Sequence, residues 1–233
     1  VDNGGNLGQW SEILDVFSRN YADIPVVQVM GNHEYYGDFS GSTASNILQL
    51  PSKDYYSMEY GDVYVAVINN GADLSAACEW LKQDAAQSTC MWKVLSIHQP
   101  PYYTNVNGGS EKFHEQIPAA AEAAGIDVVF SGHNHSYARI MAKDGEPVTE
   151  NGVTYFICGD LGEKNKDKNY AMDSDFSFAY KEQDYAGLIL YVTANGKEMT
   201  ITAYDSKDGR EVDSTTLRSR CSKGHQLTTY QNG

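Results

Sequence analysis

Two histidines flank an asparagine in "VVFSGHNHSYAR" (residues 128–139), where a β-branched run meets a glycine. Imidazoles at i and i+2 closing a strand are metal-ligand chemistry. Neutral His nitrogens and amide carbonyls suit borderline ions such as zinc, manganese or iron. Residues i and i+2 of a strand face the same side about 7 Å apart. Two-metal sites hold their ions about 3.5–4 Å apart, so His133 and His135 can reach two neighbouring ions. Gly132 keeps the backbone clear of such a site. Two further features recur at strand ends: Asn32-His33-Glu34 after "VVQVMG", and His98 after "KVLSI". A lone strand-end His is more often structural, but the ordered set stands where open α/β sheets place their sites. All four candidate ligands, Asn32, His98, His133 and His135, are neutral. Two divalent cations there need a carboxylate or hydroxide as well. Asp2, Asp38, Asp160 and Glu163 are the nearby loop carboxylates, each read first as a turn or solvated residue.

These residues must be positioned by the elements around them. Residues 9–20 place Trp10, Ile13, Leu14 and Phe17 on one helical face. "PVVQVM" (25–30) reads as a short buried strand, and 36–54 as a long polar loop. Residues 55–70 predict a hairpin around Gly61-Asp62. Residues 73–87 predict an amphipathic helix, and 92–98 a strand broken by Pro100 and Pro101. A helix over 110–124 takes Ser110 as N-cap and Gly125 as its stop. From 137 onward the pattern is strand and turn, with hairpin signals at Asp144-Gly145, Asn151-Gly152, Asn195-Gly196 and Asp208-Gly209. Strand–helix alternation followed by antiparallel strands predicts an α/β fold: two sheets packed face to face with helices outside.

Composition limits the partners. The 233 residues carry 17 Lys plus Arg against 31 Asp plus Glu, a net charge of −14. That balance repels nucleic acid and anionic membranes, so neither is an expected partner. It leaves a small phosphate-bearing substrate open, because bound cations reverse the local field. No apolar run approaches the roughly 20 residues that span a bilayer. Cys78, Cys90, Cys158 and Cys221 form no C-x-x-C pair; Cys78 and Cys90 flank a helix and read either as a bridge or as buried thiols. Seventeen tyrosines with many Asn and Gly suit an extracytoplasmic or secreted protein. The start at Val1, without Met, is read as a processed product. His114 reads as a helix-surface residue and His225 as part of an exposed tail. Tyr35, Tyr36, Tyr102 and Tyr103 read as packing or as a rim for an aromatic leaving group, and residues 158–178 as a lid or a solvated loop.

"GNHE", the His in "SIHQPPYY" and "GHNHSYAR" resemble the last three signature blocks of the calcineurin-like metallophosphoesterases. The nearest resemblance is to the purple acid phosphatases, whose final block reads Gly-His-x-His-x-Tyr-x-Arg; Tyr137 and Arg139 match it. "AYDSKDGREVDSTTL" is similar to that group's terminal hairpin. The resemblance covers roughly residues 1–217. It implies a four-layer α/β/β/α sandwich, taken as one domain over 1–220 with a tail at 221–233. It also implies hydrolysis of phosphate monoesters at a dinuclear centre of iron, zinc or manganese. Asn32, His98 and His133 would hold one metal and His135 the other. His33 would contact phosphate and protonate the leaving oxygen, while Glu34 either orients His33 or a water, or stays solvated. A phosphodiesterase or nucleotidase of the same superfamily is the alternative, as is a catalytically incomplete fragment binding one metal. Two earlier blocks of that family, Asp-x-His and Gly-Asp, are absent from this sequence. "VDNGG" looks like the stretch that follows the second. The expectation is therefore an N-terminally truncated chain that holds at most one metal well. An N-terminal fragment or another chain would complete its sheet.

Overall fold

The computed structural model describes residues 1–103, 110–159 and 187–221. Asp160, Glu163, most of the 158–178 loop and the tail with His225 lie outside the described residues. In chain order the elements are α1 (Leu7–Asn20), a 3₁₀ turn (His33–Tyr35), α2 (Ser42–Ile47), β1 (Tyr55–Tyr60), β2 (Val63–Ile68), α3 (Leu74–Gln87), β3 (Trp92–Ile97) and α4 (Glu111–Ala124). They continue with β4 (Val128–Ser131), β5 (Tyr137–Lys143), β6 (Glu146–Pro147), β7 (Val153–Cys158), β8 (Leu188–Asn195), β9 (Glu198–Asp205) and β10 (Glu211–Arg218).

Local signals account for most boundaries. Asn6 caps α1 by accepting from the N–H groups of Gly8 and Gln9, and Asp73 caps α3 through Ala76. Gly125 ends α4 in the left-handed region at φ 69°, where only glycine is unstrained. Ser110 stands at the α4 N-cap without a side-chain bond. Gly61, at φ 58°, turns the β1–β2 hairpin.

Seven strands form one sheet in the order β1-β2-β3-β4-β7-β5-β6, with β2, β3, β4 and β7 parallel. The three-stranded sheet runs β10-β9-β8. Alternation along the strands serves two cores. Leu95, Ile97, Val129, Tyr155 and Ile157 face α3 and α4, while Trp92, Val94, Val128 and Phe156 face Leu188, Met199 and Ile201 of the second sheet. Burial on both faces is why these strands read as unbroken apolar runs. A third cluster joins Trp10 of α1 to Met30 and Ala44.

Residues 25–30, expected as a strand, lie outside any ladder among the described residues. The segment is fastened at its end: Tyr56 Oη donates to Gln28 O, Met30 N to Asn69 Oδ1 and Asn70 N to Met30 O. Val26 and Val27 are exposed. A β-branched run has strand propensity, but a strand also needs a neighbour to exchange hydrogen bonds with.

Candidate metal centre

The parallel strands β3, β4 and β7 end together, and three short segments leave that edge side by side. His98 follows β3, residues 132–136 link β4 to β5, and Gly159 follows β7. Gly132 N donates to His98 O, and Ser131 Oγ to Phe156 O, so the loop starts from fixed points. Two tight turns follow, with Asn134 N donating to Gly132 O and Ser136 N to Asn134 O. A Cβ on Gly159 would sit 2.1 Å from Asn134 O, so the neighbouring strand end must be glycine for the loop to lie there. His133 itself is left-handed, at φ 63°. His133 and His135 therefore sit on a bent loop rather than in strand alternation, which corrects the spacing argument from the sequence.

The second half of the site comes from residues 31–36. Gly31 is buried against His98, and a Cβ there would lie 2.8 Å from the imidazole. The 3₁₀ turn His33–Tyr35 then carries Asn32 over His98. His98 Nε2 lies 2.8 Å from Asn32 Oδ1 and 3.1 Å from His133 Nδ1. One ring nitrogen has one proton or one lone pair and cannot satisfy both partners. Ligands at right angles on a metal with bonds near 2.1 Å stand about 3 Å apart, so both separations from His98 Nε2 suit neighbouring ligands of one ion. Burial, reinforced by the imidazoles of His133, His33 and His135, holds His98 down to about 4. Its ring is then neutral with a lone pair to give. Among the described residues no three His, Cys, Asp or Glu side chains form such a group, because the third donor here is an amide.

The remaining predicted residues divide. His135 lies near enough to bear on the charge of His98, though the converging atoms are those of Asn32, His98 and His133. His33 is exposed and its Nδ1 donates to Asp2 O at 2.9 Å, which leaves Nε2 as the ring nitrogen not used in that bond. Asp2 thus serves through its carbonyl rather than its carboxylate. Glu34 Oε2 accepts from Gly31 N at 2.7 Å, so it fastens the loop rather than standing free in solvent. Asp38 accepts from Ser40 and Thr43 and closes a local turn. Tyr35 is wedged where Cβ atoms on Gly41 or Gly71 would strike its ring, and Tyr102 is buried edge-on to Tyr155 and His114. Those two tyrosines pack. His114 Nδ1 donates to Pro101 O, a structural bond from α4 to the segment after β3. All four cysteines are free thiols.

Sequence reasoning missed Asp213 of β10. Tyr137 Oη and Arg139 Nε both donate to its Oδ2, at 2.7 and 2.9 Å, and Arg139 Nη2 donates to Oδ1 at 3.0 Å. Tyr137 directly follows the 132–136 loop, so this cluster anchors the loop's far end to the second sheet. A register shift between Glu211 and Asp213 accompanies that placement. Burial alone would raise the Asp213 carboxyl, but the bonds from Arg139 and Tyr137 outweigh it and leave the group below its ordinary value.

The profile of the calcineurin-like phosphoesterases matches residues 1–137, which carry both halves of this site. The chain belongs to the calcineurin-like phosphoesterases. Within that family, it is 26% identical over 189 residues to purple acid phosphatase 23 of Arabidopsis thaliana, covering 72% of this chain and 39% of that protein. It is 24% identical over 239 residues to human tartrate-resistant acid phosphatase type 5, covering 88% of this chain and 71% of that one. The fold of this phosphoesterase-family chain is similar to that of purple acid phosphatase PPD1 from yellow lupin seeds. The TM-score is 0.80 at 18% identity, over 92% of this chain and 44% of the lupin chain. The chain thus spans less than half the length of the plant proteins it matches.

Proposed function

We propose that this chain carries most of the catalytic site of a metal-dependent phosphate monoester hydrolase. The observation that supports this most is the convergence of Asn32 Oδ1, His98 Nε2 and His133 Nδ1, with His33 beside it. Iron, zinc or manganese suits that donor set. Asn32, His98 and His133 would hold one ion and His135 would serve a second. Such ions supply Lewis-acid polarisation of phosphoryl oxygens and lower the pKa of water. The chain's own contribution is positioning. Asn32 and His133 frame the centre, and His33, held through Nδ1 by Asp2 O, presents Nε2 to protonate the departing alcohol.

The donor set carries no charge, so the proposal includes further polypeptide that brings a carboxylate. Two apolar grooves of about 490 and 610 Å³ share Ser96, Phe130 and Val192, and the first reaches His98 and Gly132. They lie between the sheets along β8, which ends the second sheet among the described residues. An N-terminal segment or another chain adding strands there would complete both the sheet and the ligand set. Without it, the chain holds at most one ion well. No helix among the described residues is long and apolar enough to cross a membrane. A secreted or extracytoplasmic setting is part of the same proposal.

The test is hydrolysis of chromogenic phosphate mono- and diesters by the protein with upstream residues restored and metal supplied. Monoester turnover should exceed diester turnover, and His33→Ala should lower it by about 10²–10⁴-fold, the range of general acid catalysis. Equal rates for wild type and His33→Ala on both esters would remove His33 from the chemistry. A diester preference would move the assignment to a phosphodiesterase.

A further inference from the structure

Tyr36 touches both functional residues of the 31–36 segment, and its backbone is held on two sides. Its N–H donates to His33 O at 3.1 Å, and its carbonyl accepts from Gly5 N at 2.9 Å. The next residue, Gly37, is left-handed at φ 75°, and a Cβ there would meet Asn3 Oδ1 at 2.3 Å. Tyr36 therefore leaves the 3₁₀ turn in one direction. Its hydroxyl accepts from Asn32 Nδ2 at 2.9 Å, and its ring lies 4.7 Å from that of His33, tilted by 53°.

Packing does not explain this placement well. The residue is 45% exposed, so its ring gains little from burial, yet its hydroxyl turns in to an amide. That amide has a problem a phenol can solve. If Asn32 Oδ1 is to face a cation, its NH₂ must point away and needs an acceptor there. A partner that fixes a ligand's orientation is worth roughly 10–100-fold in metal affinity. We infer that Tyr36 is a positioning residue for the centre: its hydroxyl holds Asn32 with Oδ1 inward, and its ring holds the His33 imidazole. This rests on the metal reading above.

The test is calorimetric Zn²⁺ binding, with a competing chelator, by this chain and its Tyr36→Phe, Tyr36→Leu and Asn32→Ala variants. The metal-free thermal midpoint and the His33 ring proton resonances are followed in parallel. Tyr36→Phe should weaken zinc by about tenfold while the metal-free midpoint and the His33 signals stay in place. Tyr36→Leu should weaken zinc as much and also shift the His33 signals, because the aromatic ring beside them is gone. Unchanged zinc affinity in Tyr36→Phe, with Asn32→Ala weakened, overturns the inference alone. So does a metal-free midpoint that falls in Tyr36→Phe, since that marks an ordinary structural residue. No zinc binding, or equal binding in Asn32→Ala and wild type, overturns the metal reading and the inference with it.

Discussion

At the residue scale the centre depends on close approach more than on charge. His98 is neutral because it is buried among other imidazoles, and it is buried because Gly31 lets it lie against the backbone. Gly31→Ala places a methyl 2.8 Å from a ring that is itself fixed, not at the end of a flexible side chain. Overpacking of this kind costs about 1–3 kcal/mol. The expected outcome is a lowered urea midpoint together with weaker zinc binding, and a variant that matches wild type in both would show that the ring can move aside. Glu34 shows the same economy of means, because its carboxylate accepts from Gly31 N and so fixes the backbone that lies against His98.

At the element scale, the loop between β4 and β5 is held at one end by the first sheet and at the other by the second. Asp213 reaches from β10 to Tyr137 and Arg139, with side chains 13% and 22% exposed for Asp213 and Arg139. Hydrogen bonds to charged groups contribute about 1.5–3 kcal/mol when buried, and partial solvation reduces that. Asp213→Ala should therefore lose about 1–2 kcal/mol by denaturant titration. The acid response has a definite sign. The folded carboxyl is lowered, so its stabilisation is complete above the unfolded value near pH ~4 and disappears as pH falls through the folded value. Asp213→Asn removes that titration, and its urea midpoint should fall less steeply below pH ~4 than that of wild type. Parallel acid profiles would show that Asp213 is not the group responsible.

At the scale of the whole molecule, the space between the two sheets is open along β8. Ile189, Tyr191 and Val192 are exposed on that strand, and Ile24, Val26 and Val27 are exposed on the 24–30 segment. Among the described residues β8 ends its sheet, and an apolar edge strand pairs with whatever strand it meets. Self-association that rises with concentration is the expected behaviour of this chain alone, and Val192→Lys should reduce it in sedimentation measurements by charging the edge. Equal association in the variant would place the contact elsewhere.

Much of this molecule was legible before any coordinates. Gly61 and Gly125 announced a hairpin and a helix stop, because left-handed turns act over a few neighbouring residues, whereas Ser110, expected as an N-cap, makes no side-chain cap bond. Apolar runs identified β3 and β4, since strands buried on both faces need no polar alternation; β7, expected within an antiparallel half, instead pairs parallel with β4. Asn32, His98, His133 and His135 were readable as an ordered set at the ends of apolar runs. What the sequence could not carry was anything that depends on a distant neighbour. Residues 25–30 have the propensity of a strand and no ladder among the described residues. His133 looked like a strand residue and is left-handed. Asp213 took its role from Tyr137 and Arg139, more than seventy residues away, which the fold brings beside it. Local chemistry determined which residues could bind a cation. Only tertiary structure decided that Asn32 Oδ1 and His133 Nδ1 both lie about 3 Å from His98 Nε2, because those distances are set by segments 66 and 35 residues apart packing against one another.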